Sequence, residues 1–204
     1  MCMDRSLFAH IGITLFETIA SFLLVLVFAL AVTILLWLNK GLSETLEPYL
    51  VILNSLPKSA LAPLLIVWLG ATYNTIIITG ISVAIFGSIL SLYTSFQSVD
   101  PEKIKLIYTM GGKKYHALTK VVLPSNIPSL FSIMKVNIGL CLVGVIIGEF
   151  IASRQGLGYL IIYGSQVFKL DWVIMSIVIL CILAWGLYSL INGMEGAYLK
   201  RLGK

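Results

Sequence analysis

The chain has 204 residues, of which 59% are hydrophobic and only 11% charged, whereas a soluble domain carries about 25% charged residues. This balance excludes an ordinary water-soluble domain and describes a chain that crosses a membrane repeatedly. The formal net charge of +5 is no sign of nucleic acid, because no basic stripe interleaves with aromatics, and lysines beside membrane spans set orientation and favour the anionic inner leaflet.

Residues 1–10 form a short polar lead in which His10 reads as an interfacial residue. A first span is predicted over residues 11–38; its uninterrupted part from Ile19 to Leu38 already supplies the roughly 20 residues that cross the bilayer. The run is too long for a cleaved leader and lacks a small-residue cleavage site, so it is expected to stay in the protein. Residues 39–47 read as a brief turn, and a second span follows over 48–69. Pro57 and Pro63 each remove a backbone donor, which predicts a broken helix buried against its neighbours. Lys58 lies near the middle of that span, where a charge costs about 2.5–3.5 kcal/mol on insertion scales. It reads either as a cation of a translocation path or as a lysine bound to carbonyls at the helix break. A third span, residues 75–92, holds Gly80 and Gly87 and no charge, as expected of a packing helix.

The longest polar interval is residues 100–124, DPEKIKLIYTMGGKKYHALTKVVLP. Asp100 is placed to cap a first short helix, Pro101 suits its first position, and Glu102 suits the positive end of the helix dipole. Ile104, Ile107 and Tyr108 recur on one face. Gly111 and Gly112 break the run, a basic helix over 113–122 follows, and Leu123-Pro124 is expected to end it. The fourth span covers residues 128–152, with Gly144 and Gly148 as a pair that permits close helix approach and Lys135 expected to snorkel toward one face. Glu149 and Arg154 near its far end read as an interfacial ion pair or as the border of an outer gate with Gly156 and Gly158 as a hinge. An amphipathic connection over 159–169 leads to a fifth span over 172–191 and a basic tail.

The three cysteines, Cys2, Cys141 and Cys181, show neither metal-ligand spacing nor a disulfide framework and read as small core residues. A phosphate-binding glycine loop and a nucleophile turn are both missing from the sequence. No enzyme activity is therefore expected of this chain, and an ATP-driven role needs a second polypeptide. With five spans the ends fall on opposite sides. If residues 100–124 are cytoplasmic, then Lys40, Lys103, Lys105, Lys113, Lys114, Lys120, Lys200, Arg201 and Lys204 are inside, whereas Arg5, Arg154 and Lys169 are outside. That is the positive-inside bias, with the N-terminus outside and the C-terminus in the cytoplasm.

Three motifs carry a family resemblance. Gly111, nine residues, then Val121-x-Leu123-Pro124 resembles the cytoplasmic EAA loop of bacterial ABC-importer permeases, although Lys105, Leu106 and Ile107 stand where the Glu-Ala-Ala triplet belongs. Leu56-Pro57-Lys58-Ser59-Ala60-Leu61-Ala62-Pro63-Leu64 followed by Trp68-Leu69-Gly70 resembles the signature of nitrate/sulfonate/taurine-type permeases, as does Gly156-Leu157-Gly158-Tyr159-Leu160 after Glu149. Thr14-Leu15 also matches, whereas Glu17 stands where that group usually carries arginine. The resemblance covers about residues 8–200, and the five-span size is similar to methionine-uptake permeases. It implies an all-α polytopic membrane protein with the type I ABC-importer permease fold, one transmembrane domain over 1–204. Its partners would be ABC ATPase subunits, a second permease copy, identical or different, an extracytoplasmic solute-binding protein and the lipid bilayer, with no nucleic acid. No cofactor is expected in this chain, since ATP and Mg would be held by the ATPase. Coupling to the ATPase would fall on Ile104, Ile107, Tyr108, Gly111, Val121, Leu123 and Pro124, and the path or gate on Pro57, Lys58, Pro63, Glu149, Arg154, Gly156 and Gly158. The implied solute is a sulfonate, nitrate or other small anion, or a thiamine-type pyrimidine precursor. A channel or ion-coupled carrier, or a structural subunit of a larger membrane complex, remains open on the residues alone.

Overall fold

The computed structural model describes residues 3–201, and side chains from residue 7 to residue 200. Cys2, Lys204 and the side chains of Arg5 and Arg201 lie outside the described residues. The helices are α1 (Met3–Leu38), α2 (Lys40–Ser55), α3 (Lys58–Leu69), α4 (Tyr73–Gln97), α5 (Pro101–Thr109), α6 (Lys114–Ala117), a π-turn (Leu118–Val122), α7 (Leu123–Ser125), α8 (Ile127–Ala152), α9 (Leu157–Gln166) and α10 (Leu170–Arg201). Among the described residues, four stretches are long and apolar enough to cross a membrane: Leu7–Leu38, Tyr73–Gln97, Ile127–Ala152 and Leu170–Lys200. The pair α2 and α3, bent by 94° at its break, makes a fifth if counted as one span.

At the centre, α4 lies between α1 and α8. The sequence permits this because small residues let backbones meet. A Cβ added to Gly144 would come within 2.8 Å of the Gly80 Cα, and one added to Gly148 within 3.2 Å of the Ile76 Cα. Buried hydroxyls and an amide bridge the same seams, Ser21 Oγ donating to the Ile77 carbonyl of α4 (3.0 Å) and Ser88 Oγ to Asn137 Oδ1 of α8 (2.8 Å). Lipid offers no hydrophobic drive between helices, so close packing of this kind and polar bonds worth about 0.6 kcal/mol each hold them together. Phe22, Val25, Ala84, Met134, Ile138 and Cys141 fill the middle of the three-helix seam.

Several boundaries differ from the sequence reading. The turn expected over residues 39–47 shrinks to Asn39, whose side chain accepts the Leu42 N–H (3.3 Å) and starts α2 at once. Asn39 is a strong N-cap, and the charges that suggested a loop, Lys40, Glu44 and Glu47, are exposed on the helix surface. The second span is broken at Leu56-Pro57 as the prolines require, yet it is not buried: only Ser43 and Ala62 of the pair are covered. It touches α4 and α8 along one edge and leaves the rest of its surface open. The basic helix does not end at Leu123-Pro124 but runs through Ser125. The π-turn, in which the Leu123 N–H reaches the Leu118 carbonyl, resets the bonding pattern before Pro124 and lets the chain stay helical. Lys135 does not snorkel; it forms an ion pair with Glu195 of α10, both side chains mostly buried, and sits 5.8 Å from the Tyr188 ring centroid. Cys141 is buried as expected, whereas Cys181 is exposed on α10.

Candidate functional site

Two constellations sit at opposite ends of the bundle. The first gathers where α1 begins and α8 ends. Glu149, on the last turns of α8, is fully buried. Thr14 Oγ1 donates to its Oε1 (2.7 Å) and the Gly158 N–H donates to its Oε2 (2.6 Å). The same Thr14 hydroxyl accepts the Leu157 N–H (2.8 Å), and one turn earlier His10 Nδ1 accepts the Gly156 N–H (2.8 Å). These bonds satisfy the free N–H groups at the start of α9, which helix geometry leaves without intrahelical partners. They bind α1, α8 and the α8–α9 link into one node.

The glycines are placed for contact with Glu149. Gly156 has φ +106°, and a Cβ on Gly158 would lie 2.8 Å from the Glu149 Cβ and 3.0 Å from the Ile146 carbonyl oxygen. A side chain at either position would push the link off the carboxylate. Arg154 is exposed and makes no ion pair with Glu149, so the interfacial-pair reading is replaced by a carboxylate bound to backbone and hydroxyl donors. Outside this node an aromatic stack continues from His10 to Tyr159 (6.1 Å), Tyr163 (5.7 Å) and Trp172 (6.0 Å), with Lys169 4.6 Å above Trp172. Such a belt suits a membrane–water boundary.

The second constellation is the polar layer α5–α7 at the other end. Asp100 caps α5 by accepting the Glu102 N–H (2.9 Å), Pro101 opens it, and Gly111 turns the chain at φ +77°. The next short helix starts with His116 Nδ1 accepting the Lys113 N–H (3.0 Å). Of the residues expected to couple, Ile104, Val121 and Leu123 turn inward onto Phe96, Val99, Leu118 and Val122 and anchor the layer to α1 and α4. Ile107 packs under Gly112, a Cβ on which would meet the Ile107 side chain and carbonyl. Pro124 is exposed beside the π-turn, and Tyr108 is exposed. The outward apolar surface is Leu106, Tyr108, Met110 and Tyr115, among exposed lysines. Tyr108, expected to share the face of Ile104 and Ile107, is exposed on the outward side instead, and the other three had no sequence signal of their own.

Residues unmarked in the sequence tie this layer to the bundle. Lys114 Nζ donates to the last carbonyl of α1, that of Leu38 (2.9 Å), and sits 5.4 Å from the Trp37 ring centroid. Asn126, buried between π-turn and α8, donates through Nδ2 to the Val122 carbonyl (2.8 Å) and accepts from Ser95 Oγ of α4 (2.6 Å). The layer is thus bonded to both central helices.

The proposed path residues lie on the exposed α2–α3 bend. Pro57 caps α3, Pro63 lies inside it, and Lys58 is its half-buried first residue, with Nζ donating to Asn54 Oδ1 across the break (3.2 Å). The expected path and gate residues are carried by different elements: Pro57, Lys58 and Pro63 by α3 and its cap, Glu149 by α8, and Arg154, Gly156 and Gly158 by the α8–α9 link and the start of α9.

A bundle of apolar spans with a broken helix and a polar helical layer at one end has the architecture of a transport permease. The chain belongs to the family described as binding-protein-dependent transport system inner membrane component, whose model matches residues 26–204. It is therefore an ABC-importer-type permease chain of a membrane. It is 28% identical over 91% of its length to a probable ABC transporter permease protein of Haemophilus influenzae, of which it covers 76%. It is also 28% identical to the riboflavin transport system permease protein of Chloroflexus aurantiacus and 24% identical to the putative aliphatic sulfonates transport permease protein of Bacillus subtilis. Those alignments cover 76% of this chain and 58% of the riboflavin relative, and 98% of this chain and 72% of the sulfonate relative. Its fold matches that of a chain in an inward-facing methionine ABC transporter structure, with a TM-score of 0.81 over 96% of this chain and 97% of that one, at 20% identity.

Proposed function

We propose that this chain is the membrane-spanning half of an ATP-driven importer. In this reading it lines the path for a small solute, receives that solute from an extracytoplasmic binding protein, and is moved by an ATPase docked on α5–α7. The observation that carries the reading is the two-faced layer: its inner face is locked to α1 and α4, and its outer face offers Leu106, Tyr108, Met110 and Tyr115 beside lysines. A soluble domain gripping that face would pull on two central helices together. The open α2–α3 bend supports a second permease copy. Backbone broken at membrane depth is tolerated only against protein or a water-filled path, and this chain alone leaves the bend uncovered. Lysines concentrated on the α5–α7 side support placing that side in the cytoplasm, with the N-terminus outside and the C-terminus inside.

For the solute we infer a sulfonate-like anion or a small heteroaromatic vitamin precursor. Relatives of this chain are named for aliphatic sulfonates, taurine, riboflavin and formylaminopyrimidine, and Lys58 at the bend suits an anionic group. ATP and Mg belong to the partner ATPase. Binding of ATP drives the change only to the extent that one conformer holds it more tightly. Affinity purification of the tagged chain in mild detergent, with mass spectrometry of what accompanies it, tests the assembly. Recovery of an ATPase and a solute-binding protein is expected; a chain that inserts correctly yet purifies alone favours a channel or scaffold.

A further inference from the structure

Glu17 is one helical turn inside the Thr14–Glu149 node and plays no part in its hydrogen bonds. The residue is fully buried on α1, its carboxyl faces that of Glu149, and neither of its oxygens has a hydrogen-bond partner. Glu149 is already bonded to Thr14 and Gly158, both donors of the kind a carboxylate anion takes. Among the described residues, the neighbours supply no positive charge. On α1, His10 lies about two turns away with its Nδ1 occupied by the Gly156 N–H. Towards this region α4 presents the hydroxyls of Thr75 and Thr79, which serve carbonyls of Gly70 and of Thr75. Arg154 on the α8–α9 link points to the exterior, and on α9 the ring of Tyr159 stacks on His10. Lys135, the cation of α8, is taken by Glu195 of α10.

Two buried carboxylates that face each other repel strongly, and a bare charge inside a membrane protein demands a partner. We propose that Glu17 and Glu149 form a binding site for one monovalent positive charge, a proton or an alkali cation, held between α1 and α8 beneath the Gly156–Gly158 link. No covalent chemistry is involved: the charge bridges the two carboxyls, and its loss leaves them to push α1 from α8. The site is independent of the importer reading, since it concerns the stability of this fold and not ATP or solute.

The test compares wild type with Glu17→Gln, which keeps the side chain's size and removes one negative charge. Thermal unfolding midpoints of the full chain, with whatever subunits copurify, are recorded across a pH series in choline chloride and in sodium chloride. The folded state binds one more positive charge than the unfolded one, so the wild-type midpoint should fall as pH rises in choline, by about 3–5 °C per pH unit, while that of the variant stays level. Restoration by sodium assigns the charge to an alkali ion; no restoration assigns it to a proton. Parallel behaviour of the two proteins overturns the proposal. Glu17→Lys, which brings its own positive charge to Glu149, is the second variant, and it should also lose the slope. If neither variant folds, the wild type decides alone: a midpoint indifferent to both pH and sodium overturns the site.

Discussion

Replacing Thr14 by valine tests whether the node at the start of α1 is what holds the α8–α9 link. The change is isosteric and fills the same space, so its effect comes from hydrogen bonds. It orphans the Glu149 Oε1 and the Leu157 N–H, bonded at 2.7 and 2.8 Å in the native protein. An ordinary polar contact between membrane helices is worth about 0.6 kcal/mol, because the alternative state finds partners too. Here both partners are buried. The larger figure applies, about 1–3 kcal/mol for the amide and about 1.5–3 for the carboxylate bond. A loss of about 2.5–6 kcal/mol corresponds to a drop of at least about 5 °C in unfolding midpoint for a chain of this size. Thr94→Val is the control, since that exposed hydroxyl bonds only the Leu90 carbonyl of its own helix. Midpoints of the two variants would be read by thermal unfolding in detergent. If Thr14→Val falls within about 2 °C of the control, the node does not bear the link, and the reasoning from unpaired buried groups fails.

Two further outcomes follow from the same geometry. Lys135→Met or Glu195→Leu alone should cost about 3–5 kcal/mol by stranding a buried charge, whereas the two together should recover most of it; a double-mutant cycle in unfolding free energy checks this, and additive losses would refute the pairing. Phe168 sits at φ 57° in the α9–α10 turn and is 90% exposed, so Phe168→Gly should relieve left-handed strain and raise stability by about 0.5–1 kcal/mol, less than the full cost of that conformation because glycine loosens the unfolded chain. A midpoint that falls would show that the ring is held by something at that surface.

Much of this architecture was legible because lipid demands long apolar runs, and those runs gave α1, α4, α8 and α10 their places. The break at Leu56-Pro57 was legible for a different reason: proline lacks a donor wherever it stands. Which face of each span turns inward was not. Lipid is as apolar as the core, so Phe16 and Phe28 can point outward on the same helix that buries Thr14, Glu17 and Ser21. Glu149 could be marked as a charge near the end of its span, but its partner Thr14 lies 135 positions away, and Lys135 finds Glu195 across 60. Those pairings exist only once α1, α8 and α10 are packed. In the coupling layer the period of Ile104, Ile107 and Tyr108 announced an amphipathic helix, while the inward turn of Ile104 is set by the pocket that Phe96 and Leu118 make for it.

We propose that the outer face of α5–α7 transmits ATP-driven motion to α1 and α4. The direct measurement is ATP hydrolysis and ATP-dependent solute uptake in proteoliposomes holding the copurified complex, with wild type set against Leu106→Glu combined with Met110→Glu. Both residues are exposed, so membrane insertion and unfolding midpoint should be unchanged while ATPase recovery, solute-stimulated hydrolysis and uptake are lost together. Full uptake by the charged variant, or uptake by this chain with no ATPase present, would contradict the account.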